Sequence, residues 1–198
     1  INSDLILDCT DNLETRFLIN EFSVKNNIPF IYASAIGNEG FLFNIIPEGV
    51  CFNCIFKQAQ GLETCANYGV LNSITHMISS LQVNEAIKIL LNEEYEKNLI
   101  YFNLKNNELL KIKVKKNNNC AVCSKKIFDC LEGKKSREII KFCGSSNYLI
   151  KKDFDFEKIS EKLREENVPN ITLFKNKVLI KARDEKEARS IFSKYIGN

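Results

Sequence analysis

Apolar positions along this chain alternate between short continuous runs and helical steps of three and four residues. Leu5, Ile6 and Leu7 form such a run within residues 3–9, closing at Asp8, as expected of a buried strand in a parallel sheet. Thr10 and Asp11 are suited to cap the helix that follows, about 12–25, whose apolar side carries Leu13, Phe17 and Val24. Asn26 and Asn27 stop that helix, and Pro29 introduces a second strand over 30–35. Gly37 and Gly40 frame a turn into a third strand over 41–46. Strand, helix, strand is the unit from which parallel α/β sheets are built.

Residues 55–70 show weak periodicity and two glycines, so an irregular crossover is expected there. A helix then runs over 71–91, with Ile74, Ile78, Leu81 and Glu85 on one side. Alternation over 99–104 and 109–114 predicts a β-hairpin. Beyond residue 125 the chain becomes more charged. Residues 126–136, around Gly133–Lys134–Lys135, read as a linker between a domain at 1–125 and a small α+β domain at 137–198. The latter has strands at 138–142, 147–151, 170–174 and 177–182 and helices at 155–166 and 184–195.

Composition narrows the picture only a little. A net charge of +3, spread along the length, gives no case for nucleic acid. The longest apolar runs, such as Ile87–Leu91, are too short to span a bilayer. Eight cysteines, with no signal peptide visible, fit a reducing cytoplasm. The chain opens at Ile1 on what reads as a core strand, so an upstream portion is expected.

Chemistry concentrates at three places. Cys51/Cys54 and Cys120/Cys123 are two C-x₂-C pairs, each spaced so that a tight turn aims two thiolates at one tetrahedral zinc. Two disulfides, redox pairs or plain turn cysteines are the alternatives. A closed four-sulfur site has no open position, so such a zinc would fold the protein rather than react. Asp11 and Arg16 stand where a parallel strand meets a helix, the usual ligand end of an α/β sheet. Asp11 could hold Mg²⁺ and Arg16 could neutralise phosphate, or they could be a helix cap and a solvated helix residue. Cys65, in the crossover beside Gly69, is a candidate nucleophile if its pKa is lowered, and inert otherwise. His76, the single histidine, reads as packed, and Cys9, Cys130 and Cys143 read as strand or core residues.

The run from LILDCTDNLETR through GVCFNCIF, then TCANYGV, then LQVNEAIKILL, then CAVCSK, resembles the ThiF/MoeB/HesA family of ubiquitin-activating-like adenylyltransferases. The resemblance covers residues 1 to about 125, with the motifs in family order. It implies an α/β fold: part of a Rossmann-like sheet with a Cys₄ zinc clip, followed by the small α+β domain. It implies Cys51, Cys54, Cys120 and Cys123 as structural Zn²⁺ ligands, and Asp11 as the aspartate associated with Mg-ATP. Cys65 matches the cysteine that some members link to the activated carrier or use in sulfur transfer. Gln82, Glu85 and Lys88 match the family's helix, where packing explains them.

The implied activity is adenylation of the C-terminal glycine of a ubiquitin-like sulfur carrier by a cytoplasmic homodimer. The sulfur would serve thiamine, molybdopterin or thiolated tRNA. One departure is large. Residues 1–198 contain no G-x-G-x-x-G loop, which the family places upstream together with the residues that hold the ATP phosphates. A second reading is therefore a non-catalytic, carrier-binding partner subunit without an ATP site.

Overall fold

Strands β1 (Ile6–Leu7) and β2 (Phe30–Ile36) run parallel, with Ile6 opposite Phe30 and Leu7 opposite Ile31. Helix α1 (Leu13–Asn26) connects them. The computed structural model describes residues 3–56, 69–134, 139–142, 145–166 and 168–196. It forms two compact units, Ile1–Lys135 and Ser136–Asn198.

The α1 cap is Asn12, whose side-chain oxygen accepts the Thr15 N–H at 2.8 Å. Thr10 and Asp11, the caps read from sequence, do not fill that role, because Thr10 is folded back onto Asp8. The helix stops at Asn27, which adopts the left-handed conformation (φ 58°) and donates its N–H to Ser23 O, a geometry asparagine tolerates well.

After β2 the sheet turns antiparallel. β3 (Glu39–Ile45), β4 (Leu99–Asn103) and β5 (Glu108–Ile112) follow in the order β1-β2-β3-β4-β5. β1 is shorter and less buried than its apolar run suggested, with Leu7 39% exposed, because among the described residues β2 is its one strand neighbour. β5 is exposed along its whole length despite its alternation.

β2 is buried on both sides. Phe30 and Tyr32 face a core shared with Phe43, Phe52 and the partly buried Phe17 of α1. Ile31 and Ala33 face the opposite core, with Leu42, Ile74, Ile78 and Ala86. Those last three lie on α3 (Asn72–Leu90), which packs across the second face. At the contact point β3 carries Gly40: a Cβ there would lie 2.5 Å from Ile78 Cγ1.

Residues 126–134 are not a free linker. Phe128 packs on the first core, and the N–H groups of Cys130 and Leu131 donate to Glu21 Oε2 at 2.9 and 3.0 Å. The second unit is an antiparallel sheet ordered β6-β7-β9-β8. Its strands are β6 (Ile139–Lys141), β7 (Asn147–Lys151), β8 (Ile171–Phe174) and β9 (Lys177–Lys181). Helices α4 (Phe156–Glu165) and α5 (Glu185–Tyr195) start at the caps Asp155 and Asp184. Tyr148, Ile150, Val178, Ile180, Ala188 and Phe192 form its core.

Candidate functional site

The two cysteine pairs meet. Cys51 caps the single-turn helix α2 (Phe52–Ile55), and the Cys54 N–H donates to Cys51 O at 2.9 Å, which brings the two sulfurs to 3.8 Å. The second pair sits on a turn closed further along, where the Ser124 and Lys125 N–H groups donate to Cys120 O at 3.3 and 3.0 Å. Across the pairs, Cys51 Sγ lies 3.6 Å from Cys120 Sγ, and Cys54 Sγ lies 3.4 Å from Cys123 Sγ. All four sulfurs fall within 4.8 Å of one another.

A tetrahedron with metal–sulfur bonds of about 2.3 Å has edges of about 3.8 Å, whereas a disulfide needs about 2.05 Å. The spacing is that of one shared centre, so disulfides within or between the pairs do not describe it. An all-sulfur, mostly buried donor set suits a soft or borderline cation such as zinc.

Burial pushes the Cys51 thiol pKa up, and the neighbouring thiols add to the rise. Burial and the Cys54 contact raise Cys123 likewise. Burial also acts upward on Cys120, but the N–H groups of Cys123 and Val122 together with the Cys51 and Cys123 thiols leave that thiol lowered. Four crowded thiols gain most from a cation that replaces their protons.

The clip is wired to α1. Asn20, fully buried, accepts the Phe52 N–H at 2.9 Å and donates to Asn53 Oδ1 at 2.8 Å. Phe17 and Tyr32 meet the Phe52 ring edge-on at 5.1 and 5.0 Å.

One turn earlier on the same helix, Arg16 closes the carboxyl end of β1. Its Nε donates to Asp8 Oδ2 at 2.7 Å, and its Nη2 donates to Thr10 O and Ala33 O at 2.6 and 3.2 Å. The guanidinium lies 5.2 Å from the centroid of the Tyr32 ring. Asp8 Oδ1 takes the N–H and hydroxyl of Thr10 at 2.9 and 2.7 Å. From α3, Gln82 Nε2 donates to Asp8 O and Ile31 O at 3.0 and 3.1 Å, so the ends of β1 and β2 are held together. The turn presents Asp11 to solvent, with its carboxylate 3.2 Å from Asn12 Nδ2. An exposed carboxylate at this end is a fit donor for a hard divalent cation.

The structure thus unites the four clip cysteines and puts Asp11 and Arg16 on one turn, but it turns Arg16 inward. Arg16 is neither a solvated helix residue nor a loose cation; it fixes the turn that carries Asp11. Cys65 and Cys143 lie outside the described residues. Cys9 is exposed and Cys130 half-buried, so neither is a core cysteine. His76 is exposed rather than packed, with Nδ1 2.8 Å from Asn72 O. Asn20 and Glu21 went unnoticed in the sequence, although both interrupt a helix that has to bury one side. Glu85, already on the apolar side of α3 by periodicity, is buried and takes Asn44 Nδ2 and Glu96 N, each at 2.7 Å.

The family model described as "ThiF family" matches residues 2–122. The chain is similar to a sulfur carrier protein ThiS adenylyltransferase of Bacillus subtilis, 28% identical over 99% of this chain and 66% of that protein. It is also similar to the adenylyltransferase and sulfurtransferase uba4 of Emericella nidulans, 35% identical over 72% of this chain and 34% of the relative. It therefore spans about two thirds of the bacterial relative and about a third of the fungal one. Among solved structures, E. coli MccB matches 61% of this chain and 39% of its own at a TM-score of 0.51 and 13% identity. A heterocyclase matches 81% of this chain and 25% of its own at 0.52 and 16%. At such identities these two speak for the fold alone.

Proposed function

The chain belongs to the ThiF family, and from that premise we propose that it is part of an enzyme that adenylates the C-terminal glycine carboxylate of a ubiquitin-like sulfur carrier. The similarity to a ThiS adenylyltransferase along 99% of this chain carries the reading. Mg-ATP supplies the α-phosphate that the carboxylate attacks, with pyrophosphate as the leaving group. Asp11 would help hold that metal from the carboxyl end of β1, and the metal would supply neutralisation of the charge that develops in the transfer. The Asp8–Arg16 pair and Gln82 hold that turn without touching the nucleotide. Zinc held by Cys51, Cys54, Cys120 and Cys123 fastens the two ends of the segment that contains Cys65. Cys65, as thiolate, attacks the acyl-adenylate and displaces AMP. The protein works as a homodimer in the cytoplasm; the exposed apolar stripe Val83, Ile87 and Leu90 on α3 supports a second copy as partner.

The test is carrier-dependent pyrophosphate exchange by the full-length protein. Exchange should be present, and Asp11→Ala should lower it by about 100-fold. Carrier binding without exchange would instead establish the partner-subunit reading. Cys65→Ala should spare exchange and abolish sulfur transfer; sparing both would refute the role of Cys65.

A further inference from the structure

In the second unit a groove of about 500 Å³ opens beside α4 and α5. Its floor is apolar: Phe154, Ile159, Phe192 and Ile196, the last two only 7% exposed. Its rim is basic, with Lys152, Lys158, Lys162 and Lys194, all exposed. None of these lysines forms a salt bridge among the described residues, whereas Arg183, just before the α5 cap, pairs with Glu187, and Arg189 on α5 pairs with Glu185. Lys152 and Lys194 instead lie against rings, 5.8 Å from the Phe192 centroid and 4.8 Å from the Tyr195 centroid. Residues 136–198 hold 14 Lys and Arg against 10 Asp and Glu, while residues 1–135 hold 14 against 15, so the positive excess of the chain belongs to this unit.

We propose that this groove docks an acidic peptide segment of a partner protein, which inserts one apolar anchor side chain between α4 and α5 while its carboxylates meet the lysine rim. The inference is independent of adenylation and of the clip.

Charge complementarity selects an acidic occupant, and the floor selects a peptide over the other polyanions. Inorganic phosphate has no apolar body to place there. Single-stranded nucleic acid needs exposed ring faces for stacking, but Phe192 is buried and the Phe192 and Tyr195 rings have lysines over them. Asp153 and Asp155 share the rim, which repels a continuous polyphosphate yet suits a peptide of mixed polarity. Asp155 also caps α4 by accepting the Lys158 N–H at 3.1 Å, so no helix N-terminus is left open to phosphate.

The experiment is fluorescence anisotropy of the full chain with a labelled, glutamate-rich peptide of about twelve residues carrying one central Phe. Saturable binding should weaken as salt rises. It should fall roughly tenfold in Lys158→Glu/Lys162→Glu and remain unchanged in Lys186→Glu, on the far side of α5. Replacing the peptide's Phe by Ser should also weaken it. Because charge reversal on α4 could disturb the helix, Lys158→Ala/Lys162→Ala, read against the melting temperature of each variant, provides a second measurement. Equal binding by the Ser peptide, indifference to the lysine changes, or tighter binding of an oligothymidylate than of the peptide would each overturn the proposal.

Discussion

Replacing Arg16 by methionine tests whether the turn beneath Asp11 is held by a buried ion pair. Methionine keeps most of the apolar stem over Tyr32 and removes the charge. Asp8, whose side chain is 0% exposed, would keep two hydrogen bonds from Thr10 and lose its counter-ion. Breaking a buried pair from one side costs about 3–5 kcal/mol. The carbonyls of Thr10 and Ala33 also lose a donor, at about 1 kcal/mol each. Arg16→Met alone should therefore destabilise the first unit by about 5–7 kcal/mol.

Asp8→Asn in the same chain removes the stranded charge while its Oδ1 still accepts from Thr10. The double variant should then be more stable than Arg16→Met alone, by about 2 kcal/mol. Urea unfolding followed by circular dichroism measures both, and amide protection of Phe30–Ile36 assigns the transition to this unit. A cost for Arg16→Met below about 1 kcal/mol, or a double variant less stable than the single one, would refute the argument.

Cys120→Ser should lower bound zinc from about one per chain to almost none and unfold the first unit, since metal binding and folding are one equilibrium here; elemental analysis with circular dichroism checks it, and a folded, metal-free protein would count against the clip. Gly40→Ala should cost about 1–3 kcal/mol in thermal unfolding, because the added methyl meets Ile78; a change near zero would mean that α3 yields easily. Glu96, although burial acts upward on it, is brought down from 4.5 to about 2 by Lys111 and Asn98. A depressed carboxylate stabilises the fold above its unfolded value, and that contribution is lost as pH falls from about 4.5 towards 2. Lys111→Met should reduce the loss of stability across this window, and only modestly, because Lys111 is largely exposed. An unchanged acid limb of the stability curve would remove Lys111 from the account.

Much of this architecture was legible because its signals are local. The α1 and α3 steps, the asparagines at 26 and 27, and the hairpin of the second unit each follow from neighbours in sequence. The four clip cysteines were legible because a C-x₂-C turn is itself a local geometry. What the sequence concealed depends on partners far along the chain. Arg16 read as a phosphate ligand or a solvated helix residue because nothing nearby indicates that Asp8 and Ala33 O converge on it. Three consecutive capping residues, Thr10, Asp11 and Asn12, could not be ranked until Thr10 was seen to bond Asp8. The burial of β1 was overestimated, since an apolar run records the cover a strand can accept and not how much of it the described residues provide. Within the stretch read as a linker at 126–136, the tether of Cys130 and Leu131 was hidden for a similar reason: Glu21 lies more than a hundred positions away.

The cross-pair sulfurs belong to residues 69 positions apart. A metal bound to all four would therefore close a ring through the chain that includes residues 57–68. With a metal bound to the four cysteines, a single peptide-bond cut between Phe56 and Gly69 would open the backbone without separating the pieces, because the metal would still join the stretch before the cut to the stretch after it. Such a nicked protein should run as one species in size exclusion and as two once a strong chelator and denaturant are added. Continuity of the chain across this region would then be carried twice, by covalent bonds and by a coordination bond that can be undone and remade.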